Sequence, residues 1–123
     1  MASGDKRLRK VSEICLAFPE ASMERSGSHA TFRVRKKVFA YFLDNHHGDG
    51  IVSVCAKTHL GENQDLARHD PERFYLPAYI GPRGWVGLRL DRGAVRWGEV
   101  ADLVRSSYFS VAPKKLAALA RES

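Results

Sequence analysis

The sequence predicts an α+β domain, a two-layer sandwich in which an antiparallel sheet carries helices on one face. Three observations predict it. Short alternating strands follow one another through the middle of the chain without regular helical crossovers. Helical periodicity is confined to the N-terminal segment, one short central piece and the last third. The length of 123 residues, with 44% hydrophobic content, supplies one hydrophobic core without metal or disulfide staples. The whole chain, residues 1–123, is therefore read as a single domain.

The first element is a helix from about Lys6 to Phe18. Leu8, Val11, Ile14, Cys15 and Phe18 recur on one helical face, Asp5 stands where it can cap the first free N–H groups, and Pro19 ends the segment. Its first turns carry Lys6, Arg7, Arg9 and Lys10, the wrong sign for that end of the helix dipole. Such charges point to solubility or a partner. Ala21–Arg25 is a weak strand; His29–Val34 and Lys37–Leu43 are strong ones, rich in β-branched and aromatic residues. In the first strong strand Ala30, Phe32 and Val34 alternate with Thr31, Arg33 and Arg35, so one face is apolar and the other basic. Arg35-Lys36 forms the hairpin tip.

A polar loop, Asp44 to Gly50, leads into a strand over Ile51–Ala56. Glu62–Arg68 reads as a short helix limited by Pro71. Tyr75–Ile80 and Trp85–Asp91 read as a second hairpin joined by Gly81-Pro82-Arg83-Gly84. In its second strand Val86, Leu88 and Leu90 point one way, and Trp85, Gly87 and Arg89 the other. Trp97–Ser110 is helical, with Val100, Leu103, Val104 and Tyr108 in register and Trp97 as an anchor on the core. A last helix starts at Pro113 and turns Leu116, Leu119 and Ala120 inward.

The charge is uneven. Residues 1–40 carry nine Lys/Arg against four Asp/Glu, residues 41–75 three against six, and residues 76–123 eight against four. A chain basic at both ends, with a net charge of +6, attracts polyanions, although many small basic proteins use their charge only for solubility. No apolar run approaches the ~20 residues needed to cross a bilayer. The N-terminus has positive charge without an apolar segment behind it, unlike a secretory signal. Cys15 and Cys55, each among apolar neighbours, read as core thiols of a cytoplasmic protein.

Catalytic chemistry finds little support. His46-His47 beside Asp44 and Asp49 is the most metal-like cluster, yet it lacks the HxH, HExxH or CxxC spacing that shares one ion, and a polar hairpin loop explains it better. The serines lie in no nucleophile elbow and the histidines have no orienting carboxylate at an informative spacing. There is no GxGxxG and no P-loop; the Gly81-Pro82-Arg83-Gly84 tip offers N–H groups to a phosphate as a nest, less the one that Pro82 removes. Neither a catalytic residue, nor a metal, nor a cofactor is assigned.

The basic residues are more coherent. Arg33 and Arg35 lie on the polar face of one hairpin, with Trp85 and Arg89 on that of the other. Lys36, Lys37 and Arg83 stand at the tips, and Lys114 and Lys115 open the last helix, where free N–H groups also favour anions. Guanidinium groups pair with phosphates and an indole stacks on a base. The plainer explanation is that polar strand faces carry arginine to stay wet, and that Trp85 covers a sheet edge or packs under a helix.

Four blocks resemble the MmcQ/YjbR-like family, in its order: "FPEASMER", "TFRVRKKVFAYF", "YIGPRGWVGLRLD" and "LVRSSYFSVAPKKLAAL". The resemblance implies a small two-layer domain, likened to CyaY and to secretion chaperones. It also implies a DNA-binding label drawn from a "double wing" of two hairpins, here Arg33–Val38 and Gly81–Trp85. Two departures stand out. The first tip, often Gly-Gly, is Arg35-Lys36, which adds charge. The second, often Asn-Lys-Arg-His-Trp, is Gly81-Pro82-Arg83-Gly84-Trp85, which removes polar side chains. The expectation is a non-enzymatic protein that contacts DNA phosphates through Arg33, Arg35, Lys36, Lys37, Arg83, Trp85, Arg89, Lys114 and Lys115. Two alternatives stand beside it: a protein-interaction or homodimerisation module like a secretion chaperone, and a small-ligand domain with a cleft beneath the second hairpin, walled by Tyr79 and Trp85.

Overall fold

Period-two alternation sets the middle of the chain. The computed structural model describes the backbone of residues 3–122 and the side chains of residues 6–122. Six strands form one sheet in the order β1-β2-β3-β4-β6-β5, with every neighbouring pair antiparallel. They are β1 (Ala21–Ser26), β2 (His29–Val34), β3 (Lys37–Asp44), β4 (Val52–Lys57), β5 (Phe74–Tyr75) and β6 (Trp85–Arg89). Four helices complete the chain: α1 (Ser3–Leu16), α2 (Glu62–His69), α3 (Trp97–Val111) and α4 (Lys114–Glu122). The two-layer α+β architecture read from the sequence is the one observed.

Register decides which residues share a face. Ala30 pairs with Phe42, Phe32 with Ala40, Phe42 with Val54, and Val54 with Leu88. This row faces the helices and is buried throughout. From α1 it meets Leu8, Val11 and Cys15; from α3, Val100, Val104 and Tyr108; from α4, Leu116 and Ala120. Removing such side chains from water is the main favourable term in folding. Trp97 packs on this core.

One strand residue breaks the alternation. The β2–β3 register steps from Phe32–Ala40 to Arg33–Val38, which leaves Phe39 as the extra residue of a bulge. Phe39 and Ala40 therefore both turn inward and are fully buried. Phe39 meets Tyr108 edge-on at 5.4 Å between ring centroids, and Phe18 stacks on Tyr108 at 4.6 Å. The buried Ser107 donates to the Phe39 carbonyl at 2.6 Å and accepts from the Lys57 N–H at 3.0 Å.

Several expectations need correction. The strand expected over Tyr75–Ile80 is only Phe74–Tyr75. Pro77 cannot donate to a ladder, Tyr79 takes φ +69, and Gly81 N–H turns back to the Pro77 carbonyl at 2.9 Å. The segment after Tyr75 thus leaves the sheet, and Gly81–Arg83 forms a single 3₁₀ turn before β6. The first helix ends at Leu16, short of Phe18. It begins at Ser3, so Asp5 lies within it; the Asp5 side chain is outside the described residues. In α4 Leu119 faces outward and Ala117 takes the inward place. β6 ends at Arg89, two residues short of the expected Asp91.

Candidate functional site

The antiparallel order brings both sequence-predicted wings to one end of the sheet. The turn after β2, the end of β4 and the start of β6 all lie there, because Val34 pairs with Lys37 and Lys57 with Trp85. Three strand spacings separate them laterally, roughly 10–15 Å. Lys36 and Lys37 are exposed at the first tip, and Arg83 at the second. Lys57, half-buried at the end of β4, stands between them. Lys114 and Lys115 are exposed at the start of α4. The field of Lys115 reaches Glu20, which is ion-paired to Arg35, so α4 begins beside the first tip. None of these six cations is in an ion pair among the described residues. Sequence reasoning passed over Lys57, whose position depends on cross-strand register.

The opposite end of the strands carries a cluster of imidazoles and carboxylates. His29, Asp44, His46, His47 and Asp49 gather where β2 begins and β3 ends. The imidazoles of His29 and His46 are 5.3 Å apart between centroids, and those of His46 and His47 3.9 Å. No group of three or more His, Cys, Asp or Glu among the described residues is placed to hold a metal ion.

Three of the proposed contact arginines are already occupied. Arg33 pairs with Glu24 at 2.6 Å and Arg35 with Glu20 at 3.1 Å. The Arg35 guanidinium, with Lys115 further off, holds the Glu20 carboxyl below the usual carboxylate range. Arg89 makes a two-pronged contact with Asp91, at 2.9 and 3.0 Å, and both side chains are mostly buried. Their arrangement fits carboxylates of the same chain.

Trp85 does point away from the helices, as its alternation required, but its face is covered. Only 7% of Trp85 is exposed, and its ring lies against Tyr41 at 5.2 Å between centroids. The same outer face is covered next to it by Tyr75, from the segment that sequence reading took for a strand. Tyr75 crosses over Gly87, where a Cβ would stand 2.2 Å from the tyrosine ring. Its hydroxyl bonds Ser53 at 2.7 Å and approaches the Cys55 sulfur at 3.7 Å. Burial pushes the Cys55 thiol up to about 11, and pushes the Cys15 thiol up as well, so both are packing groups and not nucleophiles.

Asn63 of α2 holds the second tip in place. It is 2% exposed and donates to the carbonyls of Gly81 at 2.8 Å and Trp85 at 3.0 Å. Gly84 is required at the bend: its φ is +96, and a Cβ there would meet the Thr58 carbonyl oxygen at 2.7 Å. The second wing is therefore a braced turn, while the first is an open hairpin tip.

No helix of the described residues is long and apolar enough to cross a membrane. None of the curated proteins compared with the chain matches it. The crystal structure of the Deinococcus radiodurans protein DR2400, which carries a DUF419 domain, has the same fold: the TM-score is 0.68 at 18% identity, over 94% of this chain and 85% of that one. Residues 16–110 match the YjbR family model, a span that holds the first three sequence blocks whole and the fourth as far as Ser110. By that match, which takes in every strand of the sheet, the chain belongs to the YjbR family.

Proposed function

We propose that the protein is a non-enzymatic DNA-binding module that grips phosphates with one end of its sheet. The supporting observation is the cluster of Lys36, Lys37, Lys57, Arg83, Lys114 and Lys115, drawn from four separate segments to that end and free of carboxylate pairs among the described residues. The tips are spaced roughly as far apart as the ~12 Å width of a major groove. Lysines on tips and helix starts suit backbone contacts, which position a protein without choosing a sequence. Arg33, Arg35, Arg89 and Trp85 drop out of the contact surface, since each already has a partner within the chain.

Fluorescence anisotropy with a short labelled duplex tests the reading. Four to six phosphate contacts give a slope of about −4 to −5 in log affinity against log salt. The triple variant Lys36→Glu, Lys37→Glu, Lys115→Glu abolishes binding, while Arg33→Gln leaves it nearly unchanged. A flat salt dependence, or full binding by the triple variant, rejects the reading.

A further inference from the structure

The sheet face turned away from the helices is only half roofed. Tyr75 and the segment behind it cover β4 and β6. Beside them lies an open cleft of about 490 Å³, within the size range of small-molecule sites. Its floor is Thr31, Tyr41 and Leu43, from β2 and β3. One wall is the histidine turn at 46–49, and another is Tyr75 with residues 77–80.

The lining chemistry narrows the occupant. No lysine or arginine lines the cleft, and Asp49 is its one carboxylate, so a phosphorylated ligand would meet no fixed cation. His46 does not make up the deficit. Burial, with the neighbouring His47 and His29 rings, holds His46 below the usual histidine range. The Nδ1 of His29 accepts the Asp44 N–H at 3.1 Å, so the neutral ring carries its proton on Nε2. That leaves an N–H donor on His29, and the hydroxyls of Thr31 and Tyr41, for the edge of a ligand.

Tyr79 supplies the second argument. It holds φ +69, a conformation that costs a bulky residue on the order of 1–3 kcal/mol. Tyr79 is 87% exposed, so its ring is not packed within the fold; the turn is closed around it by the Ile80 N–H to the Ala78 carbonyl at 2.8 Å and the Gly81 N–H to the Pro77 carbonyl at 2.9 Å. His47, at the other wall, also takes positive φ. Tyr79 and His47 thus face each other across the opening with left-handed backbones, a conformation that Glu20 and Arg35 also take at the far end of the sheet.

We propose that this cleft binds an uncharged planar aromatic molecule of one or two fused rings, stacked on Tyr79 and hydrogen-bonded along its edge by His29, Thr31 and Tyr41. The cleft shares no lining residue with the basic cluster, and its wall at 77–80 runs into the turn that carries Arg83.

The test is titration of the ¹⁵N-labelled full chain with indole and with adenine at neutral pH, using inorganic phosphate as the contrast. Saturable shifts at Thr31, His46 and Tyr79, absent with phosphate, are expected from at least one ring probe. Tyr79→Ala, at an exposed position, keeps the fold and weakens that binding about tenfold, as loss of one stacking contact does. Leu60→Ala, an exposed substitution outside the lining, leaves it unchanged. The proposal is overturned if neither ring probe gives saturable shifts up to its solubility limit, or if Tyr79→Ala binds as tightly as the parent. It is overturned equally by a stable dimer in light scattering that Tyr79→Ala dissolves, because Tyr79 then serves a second copy of the chain.

Discussion

The ring of Tyr75 lies over the Cα of Gly87, its cross-strand partner, so closely that a methyl group there would stand 2.2 Å from it. This contact sets the roof of the outer sheet face. It lets the Tyr75 hydroxyl pass across β6 to Ser53 on β4. Gly87→Ala must therefore displace the ring, at a cost of about 1–3 kcal/mol, typical of an overpacked site. Thermal unfolding measures that loss. Tyr75→Phe separates the two functions of the side chain, because it keeps the ring and removes only the hydrogen bond.

Thiol chemistry reports on the same roof. The thiolate is the reactive form, and burial pushes Cys55 up to about 11 and raises Cys15. At pH 8 a disulfide reagent labels neither thiol faster than the chain unfolds, and labels both at once in denaturant. In Gly87→Ala, Cys55 alone becomes fast. The sign for stability follows from the same shift. An unfolded thiol ionises near ~8.5, so the unfolded state sheds protons first as pH rises. Stability is full below that pH and falls as pH climbs toward the folded-state value, by ~1.4 kcal/mol per unit for each thiol. Chemical denaturation between pH 7 and 11 shows the slope, and Cys55→Ala reduces it.

Much of this architecture was legible because it rests on local rules. Alternation placed Ala30, Phe32 and Val34 inward, and helical spacing did the same for Val100, Val104 and Tyr108. Pairwise geometry was not legible. Arg33, Arg35 and Arg89 looked like a shared basic face, but Glu24, Glu20 and Asp91 reach them through sheet register and local turns. Trp85 points in the direction that alternation gave it but is buried against Tyr41 instead of standing free, and in Tyr75–Ile80 Pro77 and Tyr79 override a strand-like composition. The histidine turn read as a polar loop; only folding makes it the wall of a cleft.

Asp91 ties the end of β6 to β4. Its carboxylate takes both arms of the Arg89 guanidinium and the Val52 N–H at 3.3 Å. Burial by itself would raise the Asp91 carboxyl, but these donors outweigh it and hold the group below the ordinary range. A depressed carboxyl contributes stability above its unfolded value of ~3.9, and that contribution is lost as pH falls through the folded value. Acid unfolding of Asp91→Asn should be less steep below about pH 4, with a loss of about 1–3 kcal/mol at neutral pH. Equal acid slopes in parent and variant would remove Asp91 from the account.

The Ser107 hydroxyl joins α3 to two strands. It satisfies the carbonyl of the bulged Phe39 and the N–H of Lys57 together. Ser107→Ala leaves both groups buried without that partner, which should cost about 2–4 kcal/mol. Ser107→Thr keeps the hydroxyl but adds a methyl in a fully buried position, and recovers only part of the loss. Denaturant midpoints rank the three chains.

Asn63 makes the sharpest test of how the second tip is held. Its amide group donates to the carbonyls of Gly81 and Trp85, on either side of the turn that carries Arg83. Asn63→Leu preserves volume and removes both bonds, so two carbonyls lose their donor at a buried site. The expected cost is about 2–3 kcal/mol. The local signature is more telling than the total. Hydrogen exchange should quicken at Gly84 and Trp85, whose N–H groups bond within the turn, while β2 and β3 keep their protection relative to the new global stability. If exchange accelerates evenly across the sheet, Asn63 is a core residue like any other. If it accelerates only around the turn, the second wing is braced by α2, and its presentation of Arg83 depends on one buried amide.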